Sequence, residues 1–165
     1  MIVYLVRHAW AGHSGDLNFP DDRLRPLTRK GRKRFRKLVH KLAERSFAPR
    51  TIATSPLTRC EQTANIVAEE VDQDAEVVLC DALAPGGDHR ETLRKIAAHG
   101  EHDIACVGHA PDIEEFAALL IGDDSAGIRF DKGAVAAIEF SNGVAAGQGT
   151  LRWLVTADLL LKPRG

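Results

Sequence analysis

The sequence holds only 3 cysteines in 165 residues, Cys60, Cys80 and Cys106, and no two stand in C-x-x-C spacing. An odd, scattered set of this kind builds neither a disulfide frame nor a zinc cage, and it reads as reduced thiols in a cytoplasmic protein. Histidine and cysteine pairs at the tight spacing of a metal site are missing as well, so neither a metal nor another cofactor is expected. No apolar run approaches the roughly 20 residues a membrane span needs, and the opening run Met1 to Val6 is too short for the core of a signal peptide. Neither export nor anchoring in a membrane is expected. A basic excess is also lacking, because the formal net charge is -1, against the positive balance of a dedicated nucleic-acid binder. Repeats, low-complexity tracts and linkers do not occur, so one domain over residues 1–165 is expected, at 44% hydrophobic and 27% charged residues.

What is present begins with Ile2 to Val6, a continuous β-branched run of the kind buried on both faces of a parallel sheet, which closes on Arg7-His8. Ala9 to Pro26 then dissolves into Gly, Asp, Asn and Pro, a long loop expected to lie over a site. Leu27, Phe35, Leu38, Val39 and Leu42 recur at helical spacing behind Thr28 as N-cap, which predicts a helix over about 28–46. Thr51 to Thr54 predicts a second strand, and Ser55-Pro56 an N-cap serine with proline at the first helical position, so Arg59 falls in the first turn of the next helix. Glu76 to Leu79 predicts a third strand, Pro85-Gly86-Gly87 a turn, and Asp88 with Glu91 a helix start. Ile104 to Gly108 repeats the opening pattern and closes on His109, with a helix after Pro111. Gly133 to Phe140 and Thr150 to Thr156 predict a β-hairpin, and Ala157 to Gly165 a plain tail.

Alternating strands and helices predict a parallel sheet with helices on both faces, and such folds bind ligands at the carboxyl ends of their strands. Arg7, His8 and His109 lie at such ends, and Arg59 reaches the same edge from a helix start, where backbone amides and the helix dipole favour an anion. Arginine suits a phosphoryl dianion because its planar fork donates in bidentate fashion and stays charged. Flanking cations disfavour an imidazolium, which keeps a histidine neutral and nucleophilic near neutral pH. Attack by His8 would form a covalent phosphohistidine that water then opens, splitting one hard displacement into two. The arginines and amides supply the positive charge this needs without a metal.

These residues carry a resemblance to the histidine phosphatase superfamily, also called phosphoglycerate mutase-like. The three blocks are Leu5-Val6-Arg7-His8-Ala9, Thr54 to Ala64 around Arg59, and Val107-Gly108-His109, in that order along most of the chain. The resemblance implies an α/β three-layer α/β/α sandwich, its central sheet mostly parallel with an antiparallel edge. It implies that His8 accepts the phosphoryl group while Arg7, Arg59 and His109 bind and stabilise it. Arg25-Pro26-Leu27-Thr28, the Pro85-to-Asp88 turn and the short chain look most like the SixA-type phosphohistidine phosphatase branch.

Two positions depart from the family pattern. Ala9 stands where glycine is usual after Arg-His, and Ala82 stands where the family usually has a glutamate acid. Asp81 is then the first candidate for a proton donor and Asp88 the second, although Asp88 also suits a helix cap. Ser55 is either an N-cap or a hydroxyl of the phosphate pocket. The short segments between blocks leave little material for a lid, so the favoured substrate is phosphohistidine on a protein, for example a histidine-containing phosphotransfer domain. A small phosphate ester is the alternative, a mutase is disfavoured, and a phosphoprotein-binding module that has lost its acid is the non-enzymatic reading. His13, His40, His89, His99 and His102 have no such context and are expected in solvent. Nine of the 22 lysines and arginines fall between Arg29 and Arg45, a solvated face or a docking surface for an acidic protein. Trp10 is either a core anchor or a wall of the site mouth, and Trp153 is expected in the core.

Overall fold

Alternation along the first strand decides how the layers assemble. In the computed structural model, which describes residues 1–71, 74–100, 102–123 and 125–162, β1 (Ile2–Arg7) sends Tyr4 and Val6 into one apolar cluster and Val3 and Leu5 into another. Successive side chains of a strand point to opposite faces, so both faces of β1 are covered. The Tyr4 side is roofed by α1 (Arg29–Ala43) and α2 (Thr58–Val71), through Phe35, Leu38, Val39, Ile66 and Val67. The Val3 side is roofed by α3 (His89–Ala98) and α4 (Asp112–Ile121), through Ile96, Ile113, Phe116 and Leu120. Burying each such side chain stabilises the fold by roughly 1.5–3 kcal/mol, which is why the three layers hold without a disulfide.

The sheet has six strands in the order β3-β2-β4-β1-β5-β6. β2 (Thr51–Thr54), β3 (Glu76–Leu79), β4 (Ile104–Gly108) and β1 form its parallel part, and β5 (Val135–Glu139) and β6 (Thr150–Val155) its antiparallel edge. This is the three-layer α/β/α sandwich expected. β4 and β1 are the innermost pair, with Arg7 opposite Gly108 in register. Thr28 caps α1 as expected, its hydroxyl accepting from the Gly31 amide at 2.9 Å. Among the described residues no helix is long and apolar enough to cross a membrane.

Two expectations are corrected. α2 opens at Thr58 rather than at Ser55-Pro56, because Leu57 provides the carbonyl that accepts from the Cys60 and Glu61 amides, at 2.7 and 3.2 Å. The Ser55 hydroxyl is used elsewhere. The region after β6 is no plain tail over its described part: Thr156 caps a short helix, α5 (Ala157–Leu161). Ala157 is buried there, Leu160 and Leu161 pack on the α1 side of the core, and Asp158 pairs with Arg34 of α1. Residues 163–165 lie outside the described residues.

Candidate active site

Register brings the two histidines together. The His8 amide donates to the Gly108 carbonyl at 3.0 Å, extending the β1–β4 ladder by one step, and the His8 and His109 rings stand with centroids 5.2 Å apart. Both are buried, at 8% and 4% exposure. The Nδ1 atom of His8 lies 2.8 Å from the Ala9 carbonyl oxygen, which can only accept, so the proton sits on Nδ1 and the lone pair on Nε2. Burial, then the charges of His109, Arg59 and Arg7, pull the His8 pKa down to about 3 against the opposing Ala9 hydrogen bond. His8 is therefore a neutral imidazole with a defined tautomer.

Ala9 serves a second purpose. Its amide donates to Thr63 Oγ1 at 3.1 Å, and that hydroxyl donates to the Arg59 carbonyl at 2.7 Å, tying the end of β1 to the first turns of α2. Arg59 is thereby delivered to the same edge, 5% exposed. Its Nη1 donates to the Asp22 carbonyl at 2.8 Å and stands 3.2 Å from Asp22 Oδ2, while Arg7 Nη1 donates to the Phe130 carbonyl at 2.6 Å. Each guanidinium is held by one end. The Nε groups of Arg7 and Arg59 are buried without a hydrogen-bond partner.

His109 Nε2 meets the Ser55 hydroxyl at 2.9 Å and the Cys60 thiol at 3.3 Å. Ser55 is thus a neighbour of the site, and its oxygen also accepts from the Leu57 amide at 3.4 Å. Burial first, then Arg59, lowers the His109 pKa to about 4, opposed by Asp112 and Asp22. Burial likewise pushes the Cys60 thiol up to about 12, so it is no thiolate nucleophile.

The four residues of the sequence motif, with Ser55, are brought together. Neither Asp81 nor Asp88 forms a hydrogen bond or ion pair with them. Asp81 stands exposed at the head of a 3-10 turn, Asp81–Leu83, and acts electrostatically on Lys95 of α3. Asp88 caps α3, accepting from the Arg90 and Glu91 amides at 2.8 and 3.2 Å, which lowers its pKa. Ala82, next to Asp81, is 7% exposed and belongs to the core.

Two residues of the site escaped the sequence reading. The loop after β1 carries a 3-10 turn, Asp22–Leu24, whose Asp22 carboxylate faces Arg59 on one side and Arg25 Nε, at 2.7 Å, on the other. Arg25 is 9% exposed, its Nη1 donates to the Gly12 carbonyl at 2.6 Å, and its charge is the second cause of the lowered Arg59 pKa, after burial. The Arg25-Pro26-Leu27-Thr28 segment was the available signal, and Leu27 confirms its anchoring by donating its amide to Gln62 of α2 at 2.8 Å. Trp10 is half-buried, packs on the core, and lines a hollow of about 270 Å³ together with Arg7. Among the described residues no group of three or more His, Cys, Asp or Glu side chains is placed to hold a metal ion.

Comparison with known proteins gives a consistent picture. Residues 3–84 match the sequence profile of the histidine phosphatase superfamily (branch 1). An uncharacterised protein of Picosynechococcus sp. strain PCC 7002 is 33% identical over 124 residues, which span 73% of each chain. An 8-oxo-(d)GTP phosphatase of Mycolicibacterium smegmatis is 34% identical over 109 residues, 63% of this chain but 33% of that protein. Among solved structures, the protein histidine phosphatase SixA in complex with tungstate superposes with a TM-score of 0.84 at 24% identity, covering 97% of this chain and 99% of the other.

Proposed function

This chain belongs to the histidine phosphatase superfamily, and on that footing we propose that it is a phosphatase that removes the phosphoryl group from phosphohistidine on a protein, through a covalent phosphohistidine on its own His8. The observation that carries the proposal is the pair of buried, partnerless Nε groups on Arg7 and Arg59. A buried donor without an acceptor costs about 1–3 kcal/mol, more when charged, and a tetrahedral dianion between the two forks satisfies both. The same pair is preorganised for the charge that spreads over the transferring group.

The chemistry then follows from His8. Its Nε2 lone pair attacks phosphorus, the P–N bond of the substrate breaks, and its electron pair stays with the departing imidazole. When the other nitrogen of that imidazole carries a proton, the ring leaves neutral and needs no acid from the protein. This supports phosphohistidine over a phosphate ester at a site where Asp81 is exposed and Ala82 replaces the usual glutamate. Water then attacks the phosphorus on His8, a proton passes from the water to the released phosphate, and His8 returns with Nε2 free. His109, neutral with a pKa of about 4 and held by Ser55, contacts the transferring oxygens without adding charge that would compete with His8.

Rapid quenching with a synthetic peptide carrying ³²P-phosphohistidine tests this. After separation from the peptide, the protein is expected to carry acid-labile, base-stable label, His8→Ala none, and kcat/KM for the peptide is expected to exceed that for p-nitrophenyl phosphate. A wild-type protein that binds inorganic phosphate but is never labelled and turns nothing over is a binding module, and the proposal fails. A higher kcat/KM for p-nitrophenyl phosphate makes small esters the substrate class instead.

A further inference from the structure

The basic helix noted in the sequence forms one wall of a groove. Lys30, Lys33, Lys37 and Lys41 share one stripe of α1, about 16 Å from end to end at 1.5 Å per residue, and all four are exposed. They line a groove of about 850 Å³ whose opposite side includes Ala157 and Leu161 of α5. Two neighbouring cations are compensated: Arg36 pairs with Glu69 and Glu70, and Arg34 with Asp158. The four lysines form no ion pair among the described residues. Like charges at four-residue spacing destabilise a helix, so the uncompensated stripe is a local cost to this fold.

The groove adjoins a smaller hollow that holds one of the four motif residues, Arg7. Arg34 and Ala157 line it and also line the smaller hollow in which Arg7 and Trp10 stand. The Arg34 guanidinium carbon stands over the Trp10 ring, 4.4 Å from its centre, and so bridges the two. A protein whose phosphorylated side chain enters beside Arg7 therefore lays its neighbouring surface along α1.

We propose that this groove seats an acidic helical segment of the phosphorylated protein, carrying carboxylates at three- and four-residue spacing that match the lysine stripe. The proposal rests on the phosphatase reading above and adds the surface by which a macromolecular substrate is chosen. Charge complementarity selects the acidic partner, and the Ala157 and Leu161 side favours a protein with small apolar residues between its acids over a uniformly charged polymer. The net charge of -1 is unfavourable to a nucleic-acid backbone.

Two phosphohistidine peptides test the groove, one joined by a Gly-Ser spacer to a Glu-rich helical segment and one to the same segment with Gln for Glu. The wild type is expected to prefer the Glu-rich peptide about 10-fold or more in kcat/KM, with the preference shrinking as salt is raised. Lys33→Glu/Lys37→Glu is expected to abolish that preference while p-nitrophenyl phosphate turnover stays unchanged. Fluorescence anisotropy of the unphosphorylated Glu-rich segment, bound by wild type and not by the double variant, reads the groove without catalysis. Equal rates for the two peptides, or a preference that survives the double variant, overturn the groove proposal and leave the phosphatase reading standing. Binding of the Glu-rich segment without hydrolysis of either peptide does the reverse. Tighter binding of oligouridylate, or of phosphatidylserine vesicles, than of the acidic segment also overturns it.

Discussion

Asp22 holds Arg59 twice, once through its backbone carbonyl, 2.8 Å from Nη1, and once through a carboxylate oxygen 3.2 Å from the same nitrogen. The two attachments do different things. The carbonyl fixes the position of the guanidinium, while the carboxylate offsets charge that an incoming phosphate would otherwise meet in full.

Asp22→Asn separates them. The carbonyl tether survives, one negative charge leaves the site, and inorganic phosphate is expected to inhibit more tightly, with Ki lowered about 3- to 10-fold, the scale of a partly exposed ion pair. An unchanged or raised Ki, measured at low ionic strength, means that the carboxylate does not oppose the anion.

Ser55→Ala removes the hydroxyl that faces His109 Nε2 and accepts from the Leu57 amide, at a position with no exposure. Leaving these groups unpaired is expected to destabilise the fold by about 1–3 kcal/mol in urea unfolding. With the ring no longer held, kcat/KM for the phosphohistidine peptide is expected to fall about 10-fold or more while His8 still labels. Full activity in the variant refutes a positioning role for the hydroxyl.

The buried histidines set a pH dependence. His8 and His109 titrate at about 3 and about 4 in the fold, both below the ordinary 6.5, and burial is the leading cause for each. Between those values the unfolded chain binds more protons than the folded one, so stability is lost as pH falls through about 6.5 and below. The melting temperature is expected to drop between pH 7.5 and pH 5, and the His8→Asn/His109→Asn variant to flatten that limb. Lowered carboxylates such as Asp22 and Asp88 act only at more acid pH, so they do not mimic it. A melting temperature that rises on acidification over that range contradicts the sign.

Gly31 is where α1 rests on the loop leaving the site. A Cβ there would overlap the Trp10 carbonyl oxygen and stand 2.8 Å from Trp10 Cβ, and the same carbonyl accepts from the Thr28 amide at 2.9 Å. Gly31→Ala is expected to destabilise by about 1–3 kcal/mol despite its better helix propensity. A gain in melting temperature shows that the two segments can separate without cost.

How legible the site was depended on the reach of each contact. Arg7-His8 and Gly108-His109 could be read because each ends a short apolar run, and two such runs in a parallel sheet finish at one edge. Arg59 followed from its place just after β2. The start of α2 was misread because Ser55-Pro56 has the local form of a helix start, while the serine hydroxyl answers to His109, 54 residues away. Asp22 met the same obstacle, its partner Arg59 being 37 residues on. The short helix α5 was hidden because Leu160 and Leu161 show their purpose only against α1. Arg7 and Arg59 are legible from the chain; the Asp22 carboxylate that tempers Arg59 belongs to the folded loop.

The placing of the two rings on β4 and β1, the middle pair of six strands, has a thermal corollary. Neither imidazole can drift from the other unless the ladder between them opens, and that ladder is the part of the molecule with layers on every side. The two rings should therefore stay paired until the whole body melts.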